Sequence, residues 1–484
     1  MIVNTSTGKV EGVQERNMIV FKGIPYAQPP INKLRFQAPV PAFPWLGVYK
    51  ADQFGKRALQ THEQEYQDEI DFSEDCLHLN IWTPAIDERK RPVVFYIHGG
   101  GHFSGSNSDR WIDGMHLIGA SDAVMVAPNY RLGGMGYLYL GEILGKEYED
   151  SGNCGLLDQI LALTWVRSNI AAFGGDPDRI TLMGQSAGGK SVANLLVTPS
   201  VKGMFRGAII QSGSVQCIRD KQTATQIAKM MIRQLGIVNT PEEILCKSGQ
   251  EIMEAQKILY EVVDRAHMFG PVIDGKTITE KPEEYIEAGN ITNIPIMIGY
   301  NRDELCYCKE GEERPEEESI AAFKKSYGLH WEVVYRKYCE YKKENTSAKA
   351  FDRTQTLCVY ENAAISLTQL LSNAGNKVWS YRWDYGIRGG PSQHFSEMPY
   401  IFQYIEEVDN ERYTEEEAAM AKRMNQTWLK FICEGNPQNE RIPTWYPNTT
   451  SEMGYRMYFD RITHMEQFNL RSNYQEFPMQ VIKL

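Results

Sequence analysis

Residues 179–191 read RITLMGQSAGGKS: a strand-like run, one serine framed by Gly184 and Gly188, and then Val192, Leu195 and Leu196 at helical spacing. A strand can swing back into a helix this sharply only where the side chains flanking the turn are tiny. The junction restricts the chain to folds in which strands feed directly into covering helices. The flanking sequence repeats the pattern. "PVVFYIHGGG" starts as a buried strand, Val93 to Ile97, and breaks into glycines, and "AVMVAPNYRLG" does the same from Ala123, with Pro128 closing the run. These read as neighbouring strands ending at one edge. Leu157, Ile160, Leu161, Thr164, Trp165 and Ser168 then recur at helical spacing until Gly174 and Gly175 stop the pattern. "GAIIQSG" at Gly207, "IPIMIGYN" at Ile294 and "KVWSYRWDY" at Lys377 supply further strands. Apolar strands alternating with helices imply an α/β fold with a central, mostly parallel sheet covered on both faces.

Two stretches break the alternation. Residues 220–263 and 308–373 are polar, charged and helical in pattern, and are expected as insertions over the carboxyl edge of the sheet, where they would wall a pocket. No repeat, low-complexity segment or Pro/Ser-rich linker divides the chain, so residues 1–484 are expected to form one elaborated domain.

Charge and composition exclude several classes. Asp and Glu outnumber Lys and Arg by 62 to 51, a net charge of −11, and no basic block could neutralise a nucleic acid backbone or an anionic lipid surface. The start, "MIVNTSTGKVEG", does not resemble a secretory signal, and no apolar run approaches the roughly 18 residues of a membrane span. Nine scattered cysteines, an odd number, fit reduced thiols, so a cytoplasmic location is expected. The sequon at Asn448 would matter only in a secreted chain.

The G-x-S-x-G turn would project the Ser186 hydroxyl above the sheet, beside the positive end of the following helix. A serine hydroxyl needs a base to take its proton and donors to hold the oxyanion that forms. His98-Gly99-Gly100-Gly101 follows a strand upstream, where glycines let backbone N–H groups approach a reacting carbonyl. Gly100 and Gly101 would donate from that loop, and Ala187 from the turn. Read separately, each motif is also compatible with an ordinary glycine-rich turn; their joint occurrence in this order argues against that.

The resemblance extends well beyond the serine. "VFKGIPYAQPP", "SEDCLHLNIWTP", "IHGGG", "PNYRLG", "LLDQILALTWVRSNIAAFGGDPDRITLMGQSAGG" and "FRGAIIQSG" are similar to the type B carboxylesterase family, which includes bacterial para-nitrobenzyl esterases and the cholinesterases, over nearly the whole chain. The resemblance implies the α/β-hydrolase fold and a serine esterase acting on small esters through an acyl-enzyme, with no cofactor. It implies Glu304, in "GYNRDEL", as the triad acid, with Asp303 the competing assignment, and His394, in "HFSEMPYIF", as the base; His330 and His464 also lie downstream of the acid. Leu305 and Phe395 depart from the glycines usual after the acid and the histidine. Phe395 would narrow the pocket, and short neutral acyl groups are expected.

Gln185 replaces a glutamate that many relatives carry before the serine. Tyr66 stands where cholinesterases place a tryptophan. Both argue for neutral over cationic esters. Ser212 resembles a serine that supports the acid, or is a plain strand-end hydroxyl. His102 either lines the pocket mouth or packs. Without a cysteine before Cys76 the Gln60–Phe72 segment lacks the family's disulfide clamp and is expected to be mobile. His62, His78 and His116 lack metal-ligand spacing, so no metal is implied. The same machinery would serve feruloyl or other aryl esters, carbamates or thioesters, and a non-catalytic binding protein of this fold is the competing class; oligomeric state is not legible.

Overall fold

Every residue of the Arg91–Ile97 strand is buried, as a strand covered on both faces must be, and the Val124–Pro128 strand beside it is buried throughout as well. The computed structural model describes residues 1–61, 70–215, 217–262, 268–291, 293–404, 413–449 and 453–470. The chain clusters into two compact units, one of Met1–Gly207 with Cys217–Lys281 and one of Ala208–Gln216 with Pro282–Lys483.

In the first unit the main-sheet strands run in the order Val13–Glu15, Met18–Pro25, His78–Thr83, Val124–Pro128, Arg91–Ile97 and Gly175–Gln185. Pairing is antiparallel on the amino-terminal side and parallel from Val124–Pro128 through Arg91–Ile97 to Gly175–Gln185. The helix expected after residue 157 spans Cys154–Asn169, and a short 3-10 turn carries the chain to Gly174, whose φ of 80° stops it.

A buried ion pair locks this helix to the segment after the Val124–Pro128 strand. Arg131 donates from Nε and Nη2 to the two oxygens of Asp158 at 2.8 and 2.7 Å, and its backbone N–H adds a third bond at 3.0 Å. Both side chains are almost fully excluded from water. Removing one partner leaves the other as an uncompensated buried charge. Arg131→Ala is therefore expected to cost about 3–5 kcal/mol, read as a lower urea midpoint, with a smaller loss when Asp158 is replaced together with it.

In the second unit residues 208–211, Ile296–Asn301, Val378–Trp383 and Met453–Phe459 pair in parallel in that order, and His464–Asn469 adds antiparallel at the edge. The Glu415–Glu434 helix opens on a capping box formed by Thr414 and Glu417 and ends at Gly435 in the left-handed conformation.

Both interrupting stretches are helical. In the first unit Lys221–Gln234 and Gly249–Val262 place Ile227, Met231, Ile252 and Tyr260 in one apolar cluster with Met135 and Tyr137. Asp220 caps the first of these helices by accepting from Thr223 N at 2.7 Å. In the second unit Glu316–Tyr327, Trp331–Tyr341 and Ser347–Thr356 pack around Phe323, Val334 and Tyr338. A π-helical turn, Leu357–Glu361, joins them to Asn362–Asn373.

Candidate active site

The turn around Ser186 forms as its sterics require. Ser186 has φ 58° and ψ −123°, a conformation that costs a non-glycine residue about 1–3 kcal/mol, and half-exposes its side chain. A Cβ on Gly188 would lie 2.0 Å from the Ile97 carbonyl oxygen, and one on Gly184 would lie 2.4 Å from the Gly188 carbonyl. The strand and helix can approach this closely only without side chains there. Ala187 is the first residue of the Ala187–Leu196 helix, so its N–H is outside the intrahelical ladder.

The glycine loop stands beside this turn. A Cβ on Gly99 would lie 3.3 Å from the Ser186 Cβ and 2.7 Å from the Gln185 carbonyl. Gly100 has φ 104° and Gly101 φ 63°, and the Gly100 carbonyl accepts from Phe103 N at 3.0 Å and Ser104 N at 2.9 Å. That turn ties the carbonyl down, and among the described residues the Gly100 and Gly101 N–H groups meet no acceptor. Gln60 secures the far end, accepting from Gly105 N at 3.0 Å and donating to Gly105 O at 3.1 Å. Of the Gln60–Phe72 segment, Gln60 is buried, Thr61, Ile70 and Phe72 are half-buried and Asp71 is exposed; residues 62–69, with His62 and Tyr66, lie outside the described residues.

Burial disfavours the charged form of both histidines of this loop. Burial pushes His98 down to about 4, and its ring stacks on Tyr130 at 4.4 Å. Burial, followed by the charges of Lys190 and Arg219, holds His102 well below the ordinary histidine range. His102 is 1% exposed, its Nε2 lies 3.3 Å from Ser191 Oγ, and its ring packs on Tyr137. Of the two readings open for this residue, packing is the one realised. Gln185 is buried beside Gly99.

In the second unit, Glu304 and His394 are brought together. Glu304 is fully buried; its Oε2 lies 2.5 Å from His394 Nδ1, its Oε1 accepts from Asn301 N at 2.9 Å, and its carbonyl accepts from His394 N at 3.0 Å. Asp303 faces elsewhere. Its Oδ2 accepts from Arg302 at 3.0 and 2.8 Å and from Ser392 N and Oγ at 3.1 and 3.2 Å. Burial would raise this carboxyl, but the Arg302 hydrogen bonds and charge outweigh it and hold Asp303 below the ordinary range. Of the other histidines, His330 lies at the start of the exposed end of the Trp331–Tyr341 helix and His464 stacks on Tyr458 in the edge strand.

The two departures from glycine differ in consequence. Phe395, half-buried, has φ 75°, so an aromatic residue occupies the left-handed conformation that glycine would adopt without strain. Leu305 needs no such conformation, and its N–H donates to Thr356 Oγ1 at 3.1 Å. Ser212 is buried with φ 46°, and its Oγ has no hydrogen-bond partner among the described residues; it does not bond Glu304.

Two neighbours of His394 escaped the sequence reading. The Tyr360 ring, in the π-helical turn, lies 4.9 Å from the imidazole, and nothing but helical spacing marked it. Glu397 was visible as the acidic residue of "HFSEMPYIF". It is fully buried and accepts from Asn301 Nδ2 at 2.6 Å and Gln211 Nε2 at 3.4 Å. Burial, then the Glu304 carboxylate, push Glu397 up from 4.5 to about 7. Between those values the folded chain keeps a proton that the unfolded chain releases, so this group makes stability fall as pH rises through that window. Glu397→Gln is expected to flatten that fall, read as the urea midpoint against pH.

Cys306 Sγ, Cys308 Sγ and an Asp352 oxygen lie within 4.8 Å of one another. Asp352 Oδ2 already accepts from Tyr307 N and Cys308 N at 2.8 and 2.9 Å, and burial pushes the Cys308 thiol up to about 12. The arrangement caps the turn after Glu304 with a carboxylate and a protonated thiol.

Comparison with known proteins accords with this geometry. Residues 1–477 match the model of the carboxylesterase family. The para-nitrobenzyl esterase of Bacillus subtilis (strain 168) is 32% identical over 466 residues, covering 93% of each chain. An acetylcholinesterase of Leptinotarsa decemlineata is 34% identical over 346 residues, 63% of this chain and 55% of its own. Among solved structures, a carboxylesterase of Geobacillus stearothermophilus superposes with a TM-score of 0.88 at 34% identity over 99% of both chains. A PNB esterase gives a TM-score of 0.83 at 31% identity, covering 96% of this chain and 97% of its own. The chain belongs to the carboxylesterase family, and is a carboxylic ester hydrolase with the α/β-hydrolase fold.

Proposed function

We propose that Ser186 is the nucleophile of this esterase, His394 its base, and Glu304 the carboxylate that orients the base. The observation that carries the reading is the 2.5 Å contact between His394 Nδ1 and Glu304 Oε2. It holds the imidazole proton on Nδ1 and makes Nε2 the basic nitrogen. The strained Ser186 backbone and the unengaged N–H groups of Gly100 and Gly101 support it further. In this reading Nε2 takes the Ser186 proton as Oγ attacks the ester carbonyl, and Gly100, Gly101 and Ala187 N–H groups hold the oxyanion. The imidazolium protonates the departing alcohol. Water then repeats the attack on the acyl-enzyme and releases the acid.

The test is hydrolysis of 4-nitrobenzyl and p-nitrophenyl esters with stoichiometric fluorophosphonate labelling of Ser186. Absence of both would favour a binding-only protein of the same fold. A cytoplasmic location belongs to this reading as well. It is supported by nine cysteines that are all thiols, and cell fractionation with an antibody to the chain tests it. Among the described residues no helix is long and apolar enough to cross a membrane.

A further inference from the structure

Two cations, Lys190 and Arg219, are buried around Cys217, and among the described residues no carboxylate pairs with either. Lys190 lies one helical turn beyond the serine, its N–H bonded to the Ser186 carbonyl at 2.9 Å, and it is 4% exposed. Among the described residues its Nζ donates only to Cys217 Sγ, at 3.5 Å, a weak acceptor. Arg219 is also 4% exposed. Its Nη1 donates to the Cys217 carbonyl at 2.8 Å, while among the described residues Nε and Nη2 have no hydrogen-bond partner. Gly270 leaves the room for this guanidinium, since a Cβ there would lie 2.8 Å from Nη1. Among the described residues neither side chain takes part in an ion pair, in contrast to Arg131 with Asp158 in the same unit.

An isolated buried cation is expensive, and two in one place more so unless an anion joins them. The Arg219 guanidinium, pushed down by burial to about 10, still carries its charge at neutral pH. His102, held below the ordinary histidine range first by burial and then by these same two charges, lies in their positive field beside the oxyanion loop. The Gly249–Val262 helix reaches that loop, since Phe103, two residues beyond Gly101, packs on Tyr260 at 5.1 Å.

We propose that Lys190 and Arg219 form a subsite for an anionic group on the substrate, so that the preferred esters carry a free carboxylate on the acyl side. This rests on the serine esterase reading above. The acyl side is assigned because the acyl group is the part of the substrate that becomes bonded to Ser186 Oγ, and Lys190 lies one helical turn beyond that serine. Neutral Gln185, where many relatives carry a glutamate, removes the charge that would repel such an acyl group. Short neutral esters remain substrates; a terminal carboxylate adds a charge-assisted contact that they lack.

The experiment compares 4-nitrobenzyl monoesters of succinate and glutarate with butyrate and pentanoate esters of matched length on the wild-type protein. The monoesters are expected to have kcat/KM values about tenfold or more higher. That ratio should shrink toward one in Arg219→Gln and Lys190→Met, and as salt is raised. Glutarate itself should raise the Tm of Ser186→Ala, and this readout needs no turnover. Efficient hydrolysis of the neutral esters with no preference for the monoesters and no Tm shift would overturn the subsite and leave the esterase reading standing. A glutarate shift without hydrolysis of any ester would support the anion site and overturn the triad.

Discussion

Ser186→Ala is expected to lower kcat on 4-nitrobenzyl esters by about 10⁴–10⁶-fold with a small change in KM. The substitution deletes only the oxygen that forms the acyl-enzyme. Ala187, Gly100 and Gly101 keep their N–H groups, so residual catalysis of about 10³-fold over water is expected to persist from the oxyanion site. The fold should be untouched, because the tight contacts of the turn belong to Gly184 and Gly188, not to the serine side chain. Steady-state kinetics with a thermal melt decide the matter. A folded Ser186→Ala protein retaining a tenth of wild-type turnover would move the nucleophile elsewhere.

The second large effect is expected at Glu304. Glu304→Gln keeps size and shape, and its amide oxygen can still accept from Asn301 N. The amide nitrogen, however, donates where the carboxylate accepted. It favours the imidazole with its proton on Nε2, which cannot take a proton from a serine, and removes the negative charge that steadies the imidazolium. A loss of about 10⁴-fold in kcat follows. Asp303→Asn, one residue away, is expected to cost less than tenfold, because that carboxylate is engaged by Arg302 and Ser392 rather than by His394. If the two variants exchanged places in a kcat comparison, Asp303 would be the acid.

The contrast between these neighbours marks how far the sequence could be read. Both acids leave the Ile296–Asn301 strand within a few residues, and nothing in "GYNRDEL" itself says which one meets an imidazole ninety positions later. The Asn301 N–H draws the Glu304 carboxylate inward, while Arg302 and Ser392 hold Asp303 away. His102 is a similar case. Its place after the glycines suited a pocket mouth as well as a core, and its neighbours Ser191 and Tyr137 made it core. Phe395 is a different case. The missing glycine was visible, and the structure places the phenylalanine at a positive φ that glycine would adopt without strain.

What sequence alone determined was local. Gly184 and Gly188 specify the turn because any side chain there collides with backbone, and the apolar periods specify the strands and helices, since both are properties of a few adjacent residues. What only the tertiary structure decided was electrostatic. The partner of His394, the raised proton affinity of Glu397 and the unpaired charges of Lys190 and Arg219 among the described residues depend on which atoms from distant segments share a space from which water is excluded. No stretch of sequence contains that information, because the energy of a charge is set by its surroundings rather than by its neighbours along the chain.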